Sequence, residues 1–244
     1  MTFHDDETRL VNPCKKFLKF SGEKVSYYDK EAKENVPVPL PFKFIALIDL
    51  KAISGFDEAH NCGIFSNEIQ NLGQQFMKVR SFKGGDIACG LYSDIKDKAK
   101  AAGGRFTCSV YGLLDGELVN LQLRGAALSG WIDKQPGTKF ELGKFTKGKK
   151  GSVSYSIPTF SPAAFDDDDE KKLARETLDD LMTNYLQPYW AKNQEELAVF
   201  HSNPLNDDVA LGKVAEHIKA TKQEIKPLGI ASTDKEIIES DLPF

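Results

Sequence analysis

The chain has 244 residues, 41% hydrophobic and 28% charged, which is globular material long enough for one elaborated domain with an appendage. No apolar run approaches the roughly 20 residues that span a bilayer, and residues 1–8 are polar and acidic rather than a leader, so a cytoplasmic protein is expected. The net charge of −4 divides unevenly: residues 1–162 hold 23 Lys+Arg against 18 Asp+Glu, and residues 163–244 hold 9 against 18, a positive body with a strongly acidic arm.

In chain order, short apolar or alternating runs at 17–20, 25–28, 42–50, 76–82, 87–92, 106–114, 117–123 and 153–157 read as strands, with turn residues between them. The runs flanking Asp115-Gly116 form the clearest hairpin, because Asp-Gly adopts the positive φ angles of a tight turn. Two short helices are expected at 93–102, with Ser93 as its cap and Gly103-Gly104 as its stop, and at 126–133. The pattern turns helical after Ser161-Pro162. Leu173, Leu178, Leu181, Met182, Tyr185 and Leu186 give residues 167–190 an apolar stripe, which Pro188 interrupts or ends, and a further helix is expected at 207–219. Residues 229–244 lack periodicity and read as a tail. The fold class expected is mainly β with helical additions: an oligonucleotide-binding-type β-barrel with insertions over 1–160, a helical extension over 161–227 that packs on the barrel or makes a homodimer, and an acidic tail over 228–244.

Three stretches of the positive body are candidate single-strand surfaces. On a strand, residues two apart share a face, so Phe76, Lys78, Arg80 and Phe82 line up with Met77, Val79 and Ser81 behind them. Rings alternating with cations suit a single strand, because bases stack on rings while phosphates meet cations. In the hairpin, Arg105, Thr107, Ser109 and Tyr111 oppose a core side of Phe106, Cys108 and Val110, and Asn120, Gln122 and Arg124 oppose Val119, Leu121 and Leu123. The third stretch carries Phe145, Lys147, Lys149 and Lys150 among Gly143, Gly148 and Gly151, an extended basic hairpin of the kind that folds over a strand bound to such a barrel. Lys15, Lys16 and Lys19 beside Phe17 and Phe20 add a weaker patch.

The last residues are Ser240-Asp241-Leu242-Pro243-Phe244, preceded by Asp234, Glu236 and Glu239. A terminal aromatic ring beside a free carboxylate fits an apolar pocket rimmed by Arg or Lys, and the stiff Pro243 lowers the entropy lost on docking. This tip resembles that of bacterial single-stranded DNA-binding proteins and of functionally similar phage proteins. Here the acids are interrupted by Lys235, Ile237, Ile238 and Ser240. The resemblance implies that Asp241, Leu242, Pro243 and Phe244 dock onto replication or repair proteins, and that the tail competes with DNA for the basic face.

Other chemistry finds weaker support. Cys14, Cys62, Cys89 and Cys108 include no Cys-x-x-Cys pair, so neither a zinc ribbon nor a disulfide framework is indicated, and reduced thiols are expected. Asp166 to Glu170 read as acids favouring a helix N-terminus rather than a metal site. Lys83-Gly84-Gly85-Asp86 lacks the spacing of a phosphate-cradling loop. Asp49-Leu50-Lys51 has the acid-x-lysine order of metal-dependent nucleases, which makes a nuclease the enzymatic alternative, and a replisome adaptor without DNA affinity is the other. The expectation is a non-enzymatic protein that needs no cofactor or metal, coats single strands without regard to sequence and recruits partners.

Overall fold

A computed structural model describes residues 10–193. The helix expected at 207–219 and the acidic tip, Asp241, Leu242, Pro243 and Phe244, lie outside the described residues. The strands are β1 (Lys16–Ser21), β2 (Lys24–Asp29), β3 (Glu34–Val38), β4 (Phe42–Asp57), β5 (Cys62–Ser66), β6 (Met77–Ser81), β7 (Gly85–Gly90), β8 (Gly104–Leu114), β9 (Glu117–Arg124), β10 (Lys139–Lys150) and β11 (Val153–Ala163). The helices are α1 (Tyr92–Ala101), α2 (Ala126–Ser129) and α3 (Asp168–Leu181). Among the described residues the protein is thus mainly β, with few helices.

One strand organises this sheet. β4 is 16 residues long, and along one edge it pairs with β8 from Ile45 to Gly55. Along its other edge it pairs first with β10, over Phe42 to Ile45, and then with β5, over Ser54 to Asp57. Between those two partners Lys51 exchanges backbone hydrogen bonds with Ile69 at 2.7 and 2.9 Å, so the edge is satisfied there too. The sheet runs β3-β2-β1-β9-β8-β4-β5-β6-β7, with β10 beside β4 and β11 beside β10. It does not close by hydrogen bonds. Phe20 of β1 instead meets Phe145 of β10 and Phe160 of β11 edge-on, with ring centroids 6.4 and 6.5 Å apart.

Alternation in β4, β8 and β9 sends Phe44, Ala46, Cys108, Val110, Val119, Leu121 and Leu123 to one side, where they join Leu18, Trp131, Phe140 and Phe160 in the main core. A second core forms where Ile53, Ile64, Met77 and Val79 meet Tyr92, Ile95 and Ala99 of α1. The third lies on the opposite, outer side of the sheet: Leu181, Tyr185 and Leu186 cover Ile48, Leu50 and Tyr111.

Local structure departs from the sequence reading at several points. β3 and β5 were unread, and β4 continues to Asp57, seven residues beyond the expected end at Leu50. β11 continues to Ala163, six residues beyond the expected end at Ile157, and so runs through the boundary expected near Ser161-Pro162. The cap of α1 is Leu91 rather than Ser93, whose hydroxyl turns to Asp94, and α2 is a single turn. Pro188 does not end the last helix, which stays helical to Asn193. A π-helical turn, Met182–Leu186, precedes the proline, and the Gln187 N–H donates to the Met182 carbonyl. That widened turn moves carbonyls away from the ring, which would otherwise clash with the carbonyl four residues back. The Asp115-Gly116 hairpin forms as expected, with φ of +52° and +77°.

Leu121 is fully buried in the main core. Leu121→Ala is expected to cost about 2–5 kcal/mol, whereas Leu173→Ala, at an exposed position of α3, should cost less than about 0.5 kcal/mol. Urea unfolding of both variants checks the assignment of core and surface.

Candidate nucleic-acid interface

Residues directly opposite each other on neighbouring strands project to the same side of a sheet. The register therefore aligns Arg105 on β8, Ser54 on β4, Phe65 on β5 and Arg80 on β6 in a single row across four strands. Two residues along, β4 adds Phe56 to this face and β6 adds Lys78, while Arg124 of β9 lies opposite Thr107 of β8. Phe82 follows β6, its N–H donating to the Gly63 carbonyl at 3.0 Å. Phe56, Phe65 and Phe82 are 51%, 46% and 77% exposed. Three water-exposed phenyl rings among four cations make an apolar and positively charged surface, which a monomeric fold has no internal reason to keep.

A hydrogen-bonded turn holds these rings in place. The Asp57 carboxylate accepts from Ser81 Oγ at 2.6 Å, lies 2.8 Å from His60 Nδ1 and accepts from the His60 N–H at 3.2 Å. The Ser81 hydroxyl, then the His60 bonds, hold the Asp57 carboxyl below the usual carboxylate range. The β4–β5 turn carrying Phe56 is thereby tied to the β6–β7 turn carrying Phe82. Asp86 bridges Lys78 at 3.1 Å and Arg80 at 2.9 Å, fixing both cations on the face.

The basic hairpin approaches the same end of the sheet. β1 runs parallel to β9 with Lys19 opposite Gln122, so Ser21 lies level with Arg124 and Glu23 just beyond it. Lys147 forms an ion pair with Glu23 and donates to Ser156 Oγ at 3.0 Å. Lys149 and Lys150 are exposed, and Phe145 is half-buried against Phe20.

The expected outer face of the β8–β9 hairpin is not open along its length, which corrects the reading of four of its residues: Thr107 and Ser109, each 1% exposed, and Tyr111 and Asn120. Tyr111 and Asn120 are both 0% exposed, because Leu181, Tyr185 and Leu186 pack over this part of the sheet. Tyr111 donates to Glu68 at 2.7 Å and accepts from Asn12 at 2.8 Å. Asn120 has neither amide atom hydrogen-bonded among the described residues. A base can reach neither residue in this conformation. Of the remaining candidates, Arg80, Phe82, Arg105 and Arg124 are exposed and Phe76, Lys78 and Gln122 half-buried.

The sequence reading missed Phe56 and Phe65. The signal available was the pair of phenylalanines flanking the polar stretch Asp57-Glu58-Ala59-His60-Asn61, which the structure turns into the β4–β5 hairpin with Asn61 at a φ of +49°. Lys16 is paired with Glu117, so the patch at the N-terminal lysines is partly neutralised. Asp49 and Lys51 pair with each other at 3.6 Å, and no group of three potential metal ligands occurs among the described residues.

Glu68 links this face to the covering helix. Besides accepting from Tyr111, its N–H donates to Tyr189 and its carbonyl accepts from Trp190 Nε1, each at 3.0 Å. Burial pushes its carboxyl above the usual range, opposed by the Tyr111 and Ser109 hydrogen bonds. Proton binding is therefore tighter in the folded state, and the stability this gives at low pH is lost as pH rises through the raised value. Glu68→Gln keeps an acceptor for Tyr111 and is expected to raise Tm at pH 7–8, with the difference shrinking towards pH 4. Thermal melts across that range check it.

Among the described residues no helix is long and apolar enough to cross a membrane. Comparison with known proteins gives no relative: no family model matches the sequence, no curated protein matches it, and no solved structure matches the fold.

Proposed function

We propose that the protein binds single-stranded DNA without regard to sequence, protects it, and recruits replication, recombination or repair proteins through Asp241, Leu242, Pro243 and Phe244. The observation that carries this reading is the row of Arg105, Phe65 and Arg80 with Phe56, Phe82, Lys78 and Arg124 around it. Rings of this kind stack with any base, each stack contributing about 1–3 kcal/mol, and the cations sit where phosphates between stacked bases would pass. The spread of rings over separate strands suits a flexible single strand better than a rigid duplex, which calls for a denser basic stripe.

The pairing order supports an oligonucleotide-binding-type barrel as the core of the fold. β4, β8 and β9 follow one another antiparallel, α2 intervenes, β10 returns to the free edge of β4, and β11 pairs with β10. In such a barrel the ligand lies on the second and third strands and between the first and last connections. The corresponding parts here are β8 and β9, the long segment holding β5, β6, β7 and α1, and the Lys147 hairpin. β1 takes the place beside β9, and α3 claims the lower half of the outer face.

Anisotropy of a labelled oligo-dT and an equal-length duplex, with the full chain and magnesium present, tests the reading. Tight binding to the single strand without cleavage is expected, with a log–log salt slope of about −3 for four phosphate contacts. Phe65→Ala and Phe82→Ala should each weaken it at least about fivefold. Arg105→Ala should make the slope shallower by about one. Removing residues 234–244 should tighten binding severalfold at low salt if the acidic tail competes for the face. No binding to either DNA, with a partner protein still captured by the tail, would leave an adaptor as the function.

A further inference from the structure

The cations of the outer face differ in what already neutralises them. The Asp86 carboxylate bridges Lys78 at 3.1 Å and Arg80 at 2.9 Å, so two positive charges there share one negative charge. Neither Arg105 nor Arg124 pairs with a carboxylate among the described residues, and Arg105 donates only to the Gly104 carbonyl, at 3.2 Å. Glu23, just beyond the level of Arg124, pairs with Lys147 instead. Resting on the single-strand reading, we infer that Arg105 and Arg124 form a standing phosphate subsite, filled first by the strand's backbone, and that Lys78 and Arg80 form a second one, which Asp86 closes until a further phosphate displaces it.

Two guanidiniums without a counter-charge stand close together here. Arg124 lies opposite Thr107, and Arg105 is two residues along β8 on the same face, so the two arginines are diagonal neighbours with Cα atoms about 7–8 Å apart. Like charges at that spacing repel, and a phosphate between them removes the repulsion. Although the Arg124 side chain is exposed, its surroundings desolvate the guanidinium and push it below the usual arginine range, with no charge opposing the shift. A phosphate at this point replaces the lost water with charge-assisted hydrogen bonds, which a guanidinium offers as a fork. At Lys78 and Arg80 the same phosphate must first displace a carboxylate that makes equivalent bonds, so the gain is the difference between two similar interactions. Arg105 and Arg80 stand three inter-strand steps apart, about 14 Å at about 4.8 Å per step, which separates the two subsites. Phosphate contacts position a strand without reading its bases, so this order of filling agrees with binding without regard to sequence.

The test follows the arginine Nε–Hε NMR signals of the full chain, which has five arginines, each assigned by substitution with Lys. The dinucleotide TpT carries a single phosphodiester and should shift the Arg105 and Arg124 signals at concentrations at least about threefold below those that shift Arg80. An oligo-dT long enough to cover the face should shift all three together. Asp86→Asn should bring the Arg80 response level with the other two and tighten Kd for the long strand about twofold to fivefold in anisotropy. In Arg124→Ala the Arg105 response should move to the range of Arg80. If Arg80 responds to TpT first, or within about twofold of Arg124, the order of filling is overturned, while tight binding of the long strand leaves the single-strand reading standing. If no oligonucleotide binds, that reading falls, and inorganic pyrophosphate, which has no bases, decides the arginine pair by itself. Shifts at Arg105 and Arg124 before Arg80 then uphold the subsite, and their absence overturns it.

Discussion

The packing of Leu181, Tyr185 and Leu186 onto Ile48, Leu50 and Tyr111 divides the outer face of the sheet, and the candidate interface depends on that division. Side chains on the two sides of the boundary differ accordingly. Below it the rows read Tyr111 and Ile48, then Ser109 and Leu50; above it they read Thr107 and Ala52, then Arg105 and Ser54. The apolar rows would cost free energy in water in proportion to their area, so the helix is required there. Thr107 and Ala52 are still buried, and the face opens from the row of Arg105 and the half-buried Ser54 onward. The π-helical turn at Met182–Leu186 is part of the same constraint, since it lets the helix continue past Pro188 to deliver Tyr189 and Trp190 to Glu68.

Above the boundary, the exposed phenylalanines are held apart by strands rather than collapsed on one another. The Asp57 hub fixes two turns of the sheet, so a bound strand would meet rings already in position and less ordering would be required on binding. Asp86 matters in the opposite direction. It holds Lys78 and Arg80 in the free protein, and a phosphate arriving between those cations must compete with its carboxylate. Exposed pairs of this kind contribute little to stability, so the exchange is inexpensive and salt-sensitive.

The legible parts of this fold are those in which a local pattern decides the outcome. Asp115-Gly116 dictated its hairpin, and the alternation of Phe76 to Phe82 correctly separated Met77, Val79 and Ser81 from Lys78, Arg80 and Phe82. The burial of Tyr111 and Asn120 was not legible, because a polar alternating face on a strand looks the same whether water or a helix from 70 residues later covers it. Phe56 and Phe65 were missed for a related reason. β5 is five residues long and contains a glycine, and its pairing with β4 and β6 rather than its own composition makes it a strand. The convergence of the Lys147 hairpin and Arg124 at one end of the sheet follows from the parallel pairing of β1 with β9, which no local signal announces.

Photo-crosslinking of a bromodeoxyuridine-substituted single strand to the full chain, followed by peptide mapping, tests the central claim most directly. Adducts concentrated at Phe56, Phe65 and Phe82, and absent from Tyr111, are the result expected if the uncovered half of the outer face carries the strand. Efficient crosslinking confined to other surfaces, such as the exposed Tyr28 on β2 far along the sheet from β5, would contradict it.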